Sequence, residues 1–300
     1  MRQTRRAFVG TSMTAALARG AAVESGISLA AWSFSSSFFA GKWKLLEMPR
    51  ILRERLQIEG LEHVNQFFEN PTLNYLQQLK RNCSDFGVKS LVIMIDSEGS
   101  TAAEDRAERT RAAIAHRKWI DIAHFLGCHS VRCNMYGGPE DWRKDPDLVA
   151  RAAETIHSLL EYAKDSGLNI LVENHGRASS DPDILVGLVK KVNHPRFGLM
   201  VDLGNWNKGD DRYEAVRKTI RYGKALSVKG SYGPERDPAY DMEKLLTTAL
   251  EGGYQGWWAI EMGARRRPGE KPTAEELFER EVKTVLGVKA IVNRVVFKQG

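Results

Sequence analysis

The chain has 300 residues, of which 42% are hydrophobic, with 44 Lys and Arg against 38 Asp and Glu. That length admits one large α/β barrel or two small domains, and no apolar run beyond the N-terminus is long enough to span a membrane. The formal charge of +6 is weak support for a nucleic-acid partner. Arg2, Arg5, Arg6 and Arg19 fall within residues 1–23, which hold no acid, and the rest of the chain is nearly balanced.

Thr4-Arg5-Arg6-Ala7-Phe8-Val9 is a twin-arginine pattern, and a small, alanine-rich run follows from Gly10 to Ala22. The segment reads as a Tat export signal over residues 1–25, with the mature start between Val23 and Gly26; a basic tail is the alternative. A signal of this kind implies passage through the Tat translocase, a periplasmic or exported destination and no stable membrane insertion. Cys83, Cys128 and Cys133 form neither a disulfide framework nor a zinc pattern, and burial is the expected role of Cys128 and Cys133.

Strand and helix signals then alternate. Ile27–Phe34 predicts a first strand, Glu47–Gln57 a helix, and Leu61–Asn65 a second strand. A helix over Thr72–Phe86 leads through Gly87 into a third strand, Ser90–Ile95. The charged segment Thr101–Leu126 is expected to be helical, with Ile114, Trp119, Ile122, Ala123 and Leu126 on its apolar side. A fourth strand over Ser130–Met135 and a helix over Pro146–Lys164 follow. The fifth strand begins at Asn169, runs through Ile170, Leu171 and Val172, and ends in Glu173-Asn174-His175-Gly176.

Asp181-Pro182-Asp183 starts the next helix, a cap followed by proline in the first turn. Strands over Phe197–Val201, Ala225–Gly230 and Trp257–Glu261 alternate with helices over Asp211–Tyr222, Asp241–Glu251 and Thr273–Asn293. Eight strand–helix pairs without a linker predict an α/β fold closed as a (β/α)8 TIM barrel over residues 26–300. An open doubly wound sheet would carry a glycine-rich turn after its first strand, where this chain has Trp32-Ser33-Phe34-Ser35.

Barrel sites form at the C-terminal ends of strands. In chain order those ends offer Glu62 and Asn65, Asp96 and Glu98, Arg132 and Asn134, then Glu173, Asn174 and His175. They continue with Asp202 and Asn205, then Ser227, Lys229 and Ser231, and finally Glu261. Alternation along a strand puts Glu173 with His175, Arg132 with Asn134, and Ser227 with Lys229. Three carboxylates converging on one cavity stay ionised only with a cation among them. A divalent metal suits Glu173, Asp202 and Glu261 better than Lys229 or Arg132 alone: Mn²⁺ or Mg²⁺ for an oxygen-rich set, Zn²⁺ or Co²⁺ once imidazole joins. The structural alternatives are a buried pair of Glu173 with Lys229 or Arg132, a capping role for Asp202, and a salt bridge from Glu261 to Arg265 or Arg266.

The order Val172-Glu173-Asn174-His175-Gly176, Ser179-Ser180-Asp181, Asp202-Leu203-Gly204-Asn205, Val228-Lys229, Ser231-Tyr232 and Ala259-Ile260-Glu261 resembles the sugar phosphate isomerase/epimerase family of xylose isomerase-like barrels. The resemblance spans about residues 27 to 290. It implies a divalent metal held by Glu, Asp, His and Glu, which map onto Glu173, Asp202, position 227 and Glu261. Position 227 is Ser, and His175 is the expected compensating ligand.

The implied chemistry is proton transfer beside a carbonyl of a sugar or keto-sugar, with Glu173 and Glu261 as the acid/base pair and Asp202 as a pure ligand. Glu62, Arg132, His175, Asn205 and Lys229 are the expected substrate-binding residues, with Trp32 and Trp206 stacking on a sugar face. The expected partner is a small carbohydrate and no nucleic acid, with assembly into identical copies left open. The alternatives are a lyase or dehydratase acting on a keto-polyol, a sugar-binding barrel without catalysis, and an apurinic endonuclease similar to endonuclease IV, disfavoured by the scarcity of histidines at strand ends.

Overall fold

In a computed structural model of the chain, which describes residues 24–230, 240–264 and 269–298, eight parallel strands pair in sequence order and close into a barrel. The strands are β1 (Gly26–Ala30), β2 (Gly60–Val64), β3 (Lys89–Ile95), β4 (Ser130–Cys133), β5 (Asn169–Glu173), β6 (Phe197–Asp202), β7 (Gly223–Val228) and β8 (Trp257–Ile260). β1 pairs with both β2 and β8, and this closes the sheet. Parallel strands need covered faces, and these are buried nearly throughout; β6, Phe-Gly-Leu-Met-Val-Asp, is buried at every position. Residues 1–23 of the expected Tat segment, Ser231, Tyr232 and Arg265–Arg267 lie outside the described residues.

Around the barrel run two short helices, α1 (Ser35–Phe39) and α2 (Met48–Ile51), then α3 (Leu73–Asp85), α4 (Arg106–Leu126), α5 (Leu148–Tyr162), α6 (Pro182–Val192), α7 (Arg212–Thr219), α8 (Met242–Glu251) and α9 (Ala274–Val292). Their starts are chemically marked. Asp105 accepts a bond from Ala107 N, and Asp181 accepts from Asp183 N and Ile184 N, with Pro182 opening α6. Thr273 and Glu276 form a reciprocal capping box on α9. Gly127 ends α4 in the left-handed region at φ 83°. No helix among the described residues is long and apolar enough to cross a membrane.

Three expectations shift. The first strand ends at Ala30, and residues Ala31–Phe34 turn as a 3-10 segment, because Ser33 Oγ donates to Ile260 O and accepts from Met262 N, tying the turn to β8. The expected helix Glu47–Gln57 is helical from Met48 to Leu56, but its α part is only Met48–Ile51 and it continues as a π turn over Leu52–Leu56, with Gln57 left-handed at φ 51°. Ile114 is 53% exposed; α4 instead buries Ala112, Ala113, His116, Trp119, Ile120, Ile122, Ala123 and Leu126. All three cysteines are buried and unbridged, and burial pushes their thiols above the ordinary range.

Candidate active site

β5, β6 and β8 deliver Glu173, Asp202 and Glu261 to one point, where one carboxylate oxygen of each lies within 4.8 Å of the others. The register explains the convergence. Glu173 is level with Met200 on β6, Asp202 with Ser227 on β7, and Ser227 with Ala259 on β8, two residues before Glu261. Like charges this close are costly unless each finds a cation or donor. Arg132 Nε sits 2.8 Å from Glu173 Oε2, and its Nη1 sits 2.7 Å from Asp96 Oδ1. Lys229 Nζ lies 2.9 Å from Asp202 Oδ2 and 2.8 Å from Glu261 Oε1. Ser227 Oγ donates to Glu261 Oε2 at 2.9 Å.

Two asparagines fix the acids through the backbone. Asn174, one residue past β5, donates to Asp202 O and accepts from Asp202 N, both at 2.8 Å. Asn65, one residue past β2, makes the same pair with Asp96 N and O, both at 2.9 Å. Each side-chain amide satisfies a backbone donor and acceptor just where the ladder ends, and so sets the height of the next acid. Asp202 Oδ1 also accepts from Gly204 N and Asn205 N, at 2.7 and 2.9 Å. Asp202 thus gives Oδ1 to the backbone of the bend after β6 and Oδ2 to the acidic centre, while the helix that follows, α7, is capped by Asp211 and not by Asp202.

Burial pushes the Glu173 carboxyl up to about 7, against the pull of Arg132. Burial likewise pushes Asp202 up to about 7, against Lys229. Burial works against ionised Glu261 too, but Lys229, Arg132 and the Ser227 hydroxyl outweigh it and hold this carboxyl below its ordinary value. Two carboxyls pushed apart in this way can keep one protonated and one ionised, as an acid/base pair requires. Lys229 is held charged against burial by Asp202, Glu261 and Glu173.

A cavity of about 510 Å³ opens at the C-terminal end of the barrel, and of the three acids Glu261 reaches it. Glu261, Arg132, Lys229, His175, Asn205 and Trp32 line it. Glu173 and Asp202 have no exposed surface and sit beneath it, with Asn205 Nδ2 reaching Glu173 Oε1 at 3.4 Å. Trp32 stacks on Phe67 with ring centroids 5.8 Å apart, presenting an aromatic wall. Trp206 packs against the core and is not among the lining residues.

His175 is placed differently from the compensating ligand expected of it. Its Nδ1 bonds Tyr136 Oη at 2.8 Å, and it does not join the acidic cluster. The following Gly176 takes φ 91° and turns the chain sharply there. Tyr136 is a lining residue the sequence reading passed over; the two-residue alternation Arg132, Asn134, Tyr136 carries that signal. Asn134 Nδ2 bonds Asp96 Oδ1 at 2.7 Å, and Glu98 accepts from Trp119 Nε1 at 2.6 Å, so both brace the rim.

Glu62 lies elsewhere. It is 1% exposed, accepts a bond from Ser28 Oγ at 3.2 Å, and lines a separate cavity of about 570 Å³ at the N-terminal end of the barrel, beside Lys89, His129 and Lys224. A residue in the middle of β2 faces the barrel interior rather than its C-terminal rim, and so Glu62 lies apart from the cavity that Glu261 and Lys229 line. Burial raises its carboxyl to about 8. The unfolded chain titrates near the ordinary value, so the stability from neutral Glu62 is full below that pH and is lost as pH rises towards 8. Glu62→Gln is expected to stabilise the protein relative to wild type by on the order of a few kcal/mol at pH 8 and little at pH 4.5, read by urea denaturation at both values. An advantage that does not grow with pH would contradict a neutral buried Glu62.

The three acids could hold a divalent ion. Glu173 Oε2 and Asp202 Oδ2 are buried without a well-directed hydrogen bond, and hard cations such as Mg²⁺ or Mn²⁺ favour carboxylate oxygens. The fourth position does not supply a nitrogen, because Ser227 stands there with its hydroxyl donated to Glu261.

Comparison with known proteins agrees with this architecture. The chain is 21% identical over 274 residues, 86% of its length, to an uncharacterized protein of Methanocaldococcus jannaschii, of which 98% is covered. Its fold is similar to that of a D-tagatose 3-epimerase-like protein, with a TM-score of 0.69 at 18% identity over 91% of this chain and 98% of that one. It is equally similar to L-ribulose 3-epimerase, with a TM-score of 0.70 at 14% identity, covering 91% and 98%. Residues 54–281 match the family of the xylose isomerase-like TIM barrel, and the chain belongs to that family.

Proposed function

We propose that this protein is a sugar isomerase or epimerase that moves a proton at a carbon beside a carbonyl. The observation that carries the reading is the pair of buried carboxylates, Glu173 and Glu261, brought together from β5 and β8 with Asp202 beside a cavity that Glu261 lines. Enolisation needs a base to take the proton, an acid to return it, and positive charge where the oxyanion develops. Of the proteins of similar fold, one is named as D-tagatose 3-epimerase-like and another as L-ribulose 3-epimerase, and this supports a ketose or keto-sugar as substrate.

In this reading Glu261, which faces the cavity, meets the substrate directly. Glu173 reaches it when Asn205, whose bond to Glu173 is long at 3.4 Å, turns aside. Arg132, His175 and Lys229 donate to hydroxyl and carbonyl oxygens, and Trp32 packs on the apolar face of the ring. A divalent ion held by Glu173, Asp202 and Glu261 would polarise the carbonyl. A lyase acting on a keto-polyol would begin with the same proton abstraction, and product mass separates the two.

The test is incubation with a panel of ketoses, keto-glycosides and inososes in deuterated water, with and without added Mn²⁺. Solvent deuterium in a product of unchanged skeleton is expected. Loss of water from the product would make the protein a lyase, and no exchange on any member of the panel would count against proton transfer.

A further inference from the structure

β7 contributes donors to the acidic centre. Ser227 and Lys229 share one face of the strand end, and between them they engage both oxygens of Glu261: the Ser227 hydroxyl at Oε2, 2.9 Å away, and the ammonium at Oε1, 2.8 Å away. The same ammonium lies 2.9 Å from Asp202 Oδ2, while Asp202 Oδ1 is taken by two backbone N–H groups. Lys229 is thus seated between two of the three carboxylates that could hold a divalent ion. Its side chain is 11% exposed, and those of Asp202 and Glu261 are 0% and 7% exposed. A metal cage needs convergent lone pairs; this strand presents protons instead.

We propose that Lys229 is the resident cation of this site, and that a divalent ion binds only by displacing its ammonium from between Asp202 and Glu261. An ammonium carries three N–H donors. One is directed at Glu261 Oε1 and the charge also faces Asp202 Oδ2, so a donor remains for a substrate oxygen, and Lys229 lines the cavity where such an oxygen would sit. The centre is then organised by a covalently attached point charge that stabilises a developing oxyanion. The inference deepens the proton-transfer reading of the same site, but its readout, the affinity for a cation, is independent of turnover.

The experiment measures Mn²⁺ binding to the metal-stripped full chain by calorimetry. Wild type, Lys229→Met and the double variant Ser227→His with Lys229→Met are compared, and Lys229→Gln serves as a second single variant that keeps a donor group if Lys229→Met does not fold. The expected order is weakest binding by wild type, at least about tenfold tighter binding once the ammonium is gone, and tighter still with an imidazole at position 227. Wild-type binding as tight as that of the Lys229 variants would overturn the proposal, as would weaker binding after removal of the ammonium. Absence of turnover on every sugar tested would remove the proton-transfer reading and leave the cation assignment to be decided by these affinities.

Discussion

Glu173→Gln is expected to lower solvent-deuterium exchange by about 10²–10⁴-fold while the barrel stays folded. The amide keeps the size and planarity of the carboxylate, so the packing at the end of β5 is retained. It cannot take up a proton at either of the carboxylate's two positions, Oε1, which now accepts from Asn205, and Oε2, which faces Arg132. Folding should survive because Arg132 keeps Asp96, at 2.7 Å, and the backbone carbonyl of Ile95, at 3.2 Å. Exchange rate and circular dichroism melting, measured on the same preparation, check both halves. Wild-type exchange by a folded Glu173→Gln protein would remove Glu173 from the chemistry and leave it the structural partner of Arg132.

Arg132→Met should carry the largest stability loss at this end of the barrel, about 3–5 kcal/mol at neutral pH. Arg132 is 3% exposed, and its guanidinium serves two carboxylates at once, Asp96 and Glu173. Methionine fills much of the volume but leaves both acids without their cation. The response to pH follows from Glu173. Without Arg132 its folded-state carboxyl, already raised by burial, rises further, so the variant's deficit grows as pH increases and shrinks as the carboxyl takes up a proton in acid. Asp96 acts in the same direction, because Arg132 holds its carboxyl below the ordinary value against burial. Urea denaturation at pH 5 and pH 8 measures this, and adding Glu173→Gln to Arg132→Met should recover part of the loss. A deficit independent of pH, unrelieved by the second substitution, would mean that lost packing rather than stranded charge is responsible.

Much of the architecture is legible in the chain because it depends on near neighbours. Strand runs such as Asn169–Glu173 end in acids, aspartates and threonines precede helices, and glycine closes α4; each is a local signal with a local cause. The acids of the centre were legible for the same reason, since a parallel barrel gathers whatever its strands carry at their C-terminal ends. The structure departs from local signals where a distant partner decides. Ser33 is drawn out of β1 by its bonds to residues more than two hundred positions away. Glu62 has the composition of a rim residue, but its place in the middle of β2 sends it to Ser28 and the opposite cavity.

By itself, then, the sequence determined eight strand–helix units, their closure and the identity of the three converging acids, because periodicity and caps are properties of short segments. The tertiary structure alone decided which cation serves which acid. Arg132 goes to Glu173 and Asp96, and Lys229 to Asp202 and Glu261, while His175 turns to Tyr136 and stays out of the cluster. Those choices depend on the register between neighbouring strands and on distances of about 3 Å, at which burial makes each pairing decisive. No spacing along a single strand encodes them.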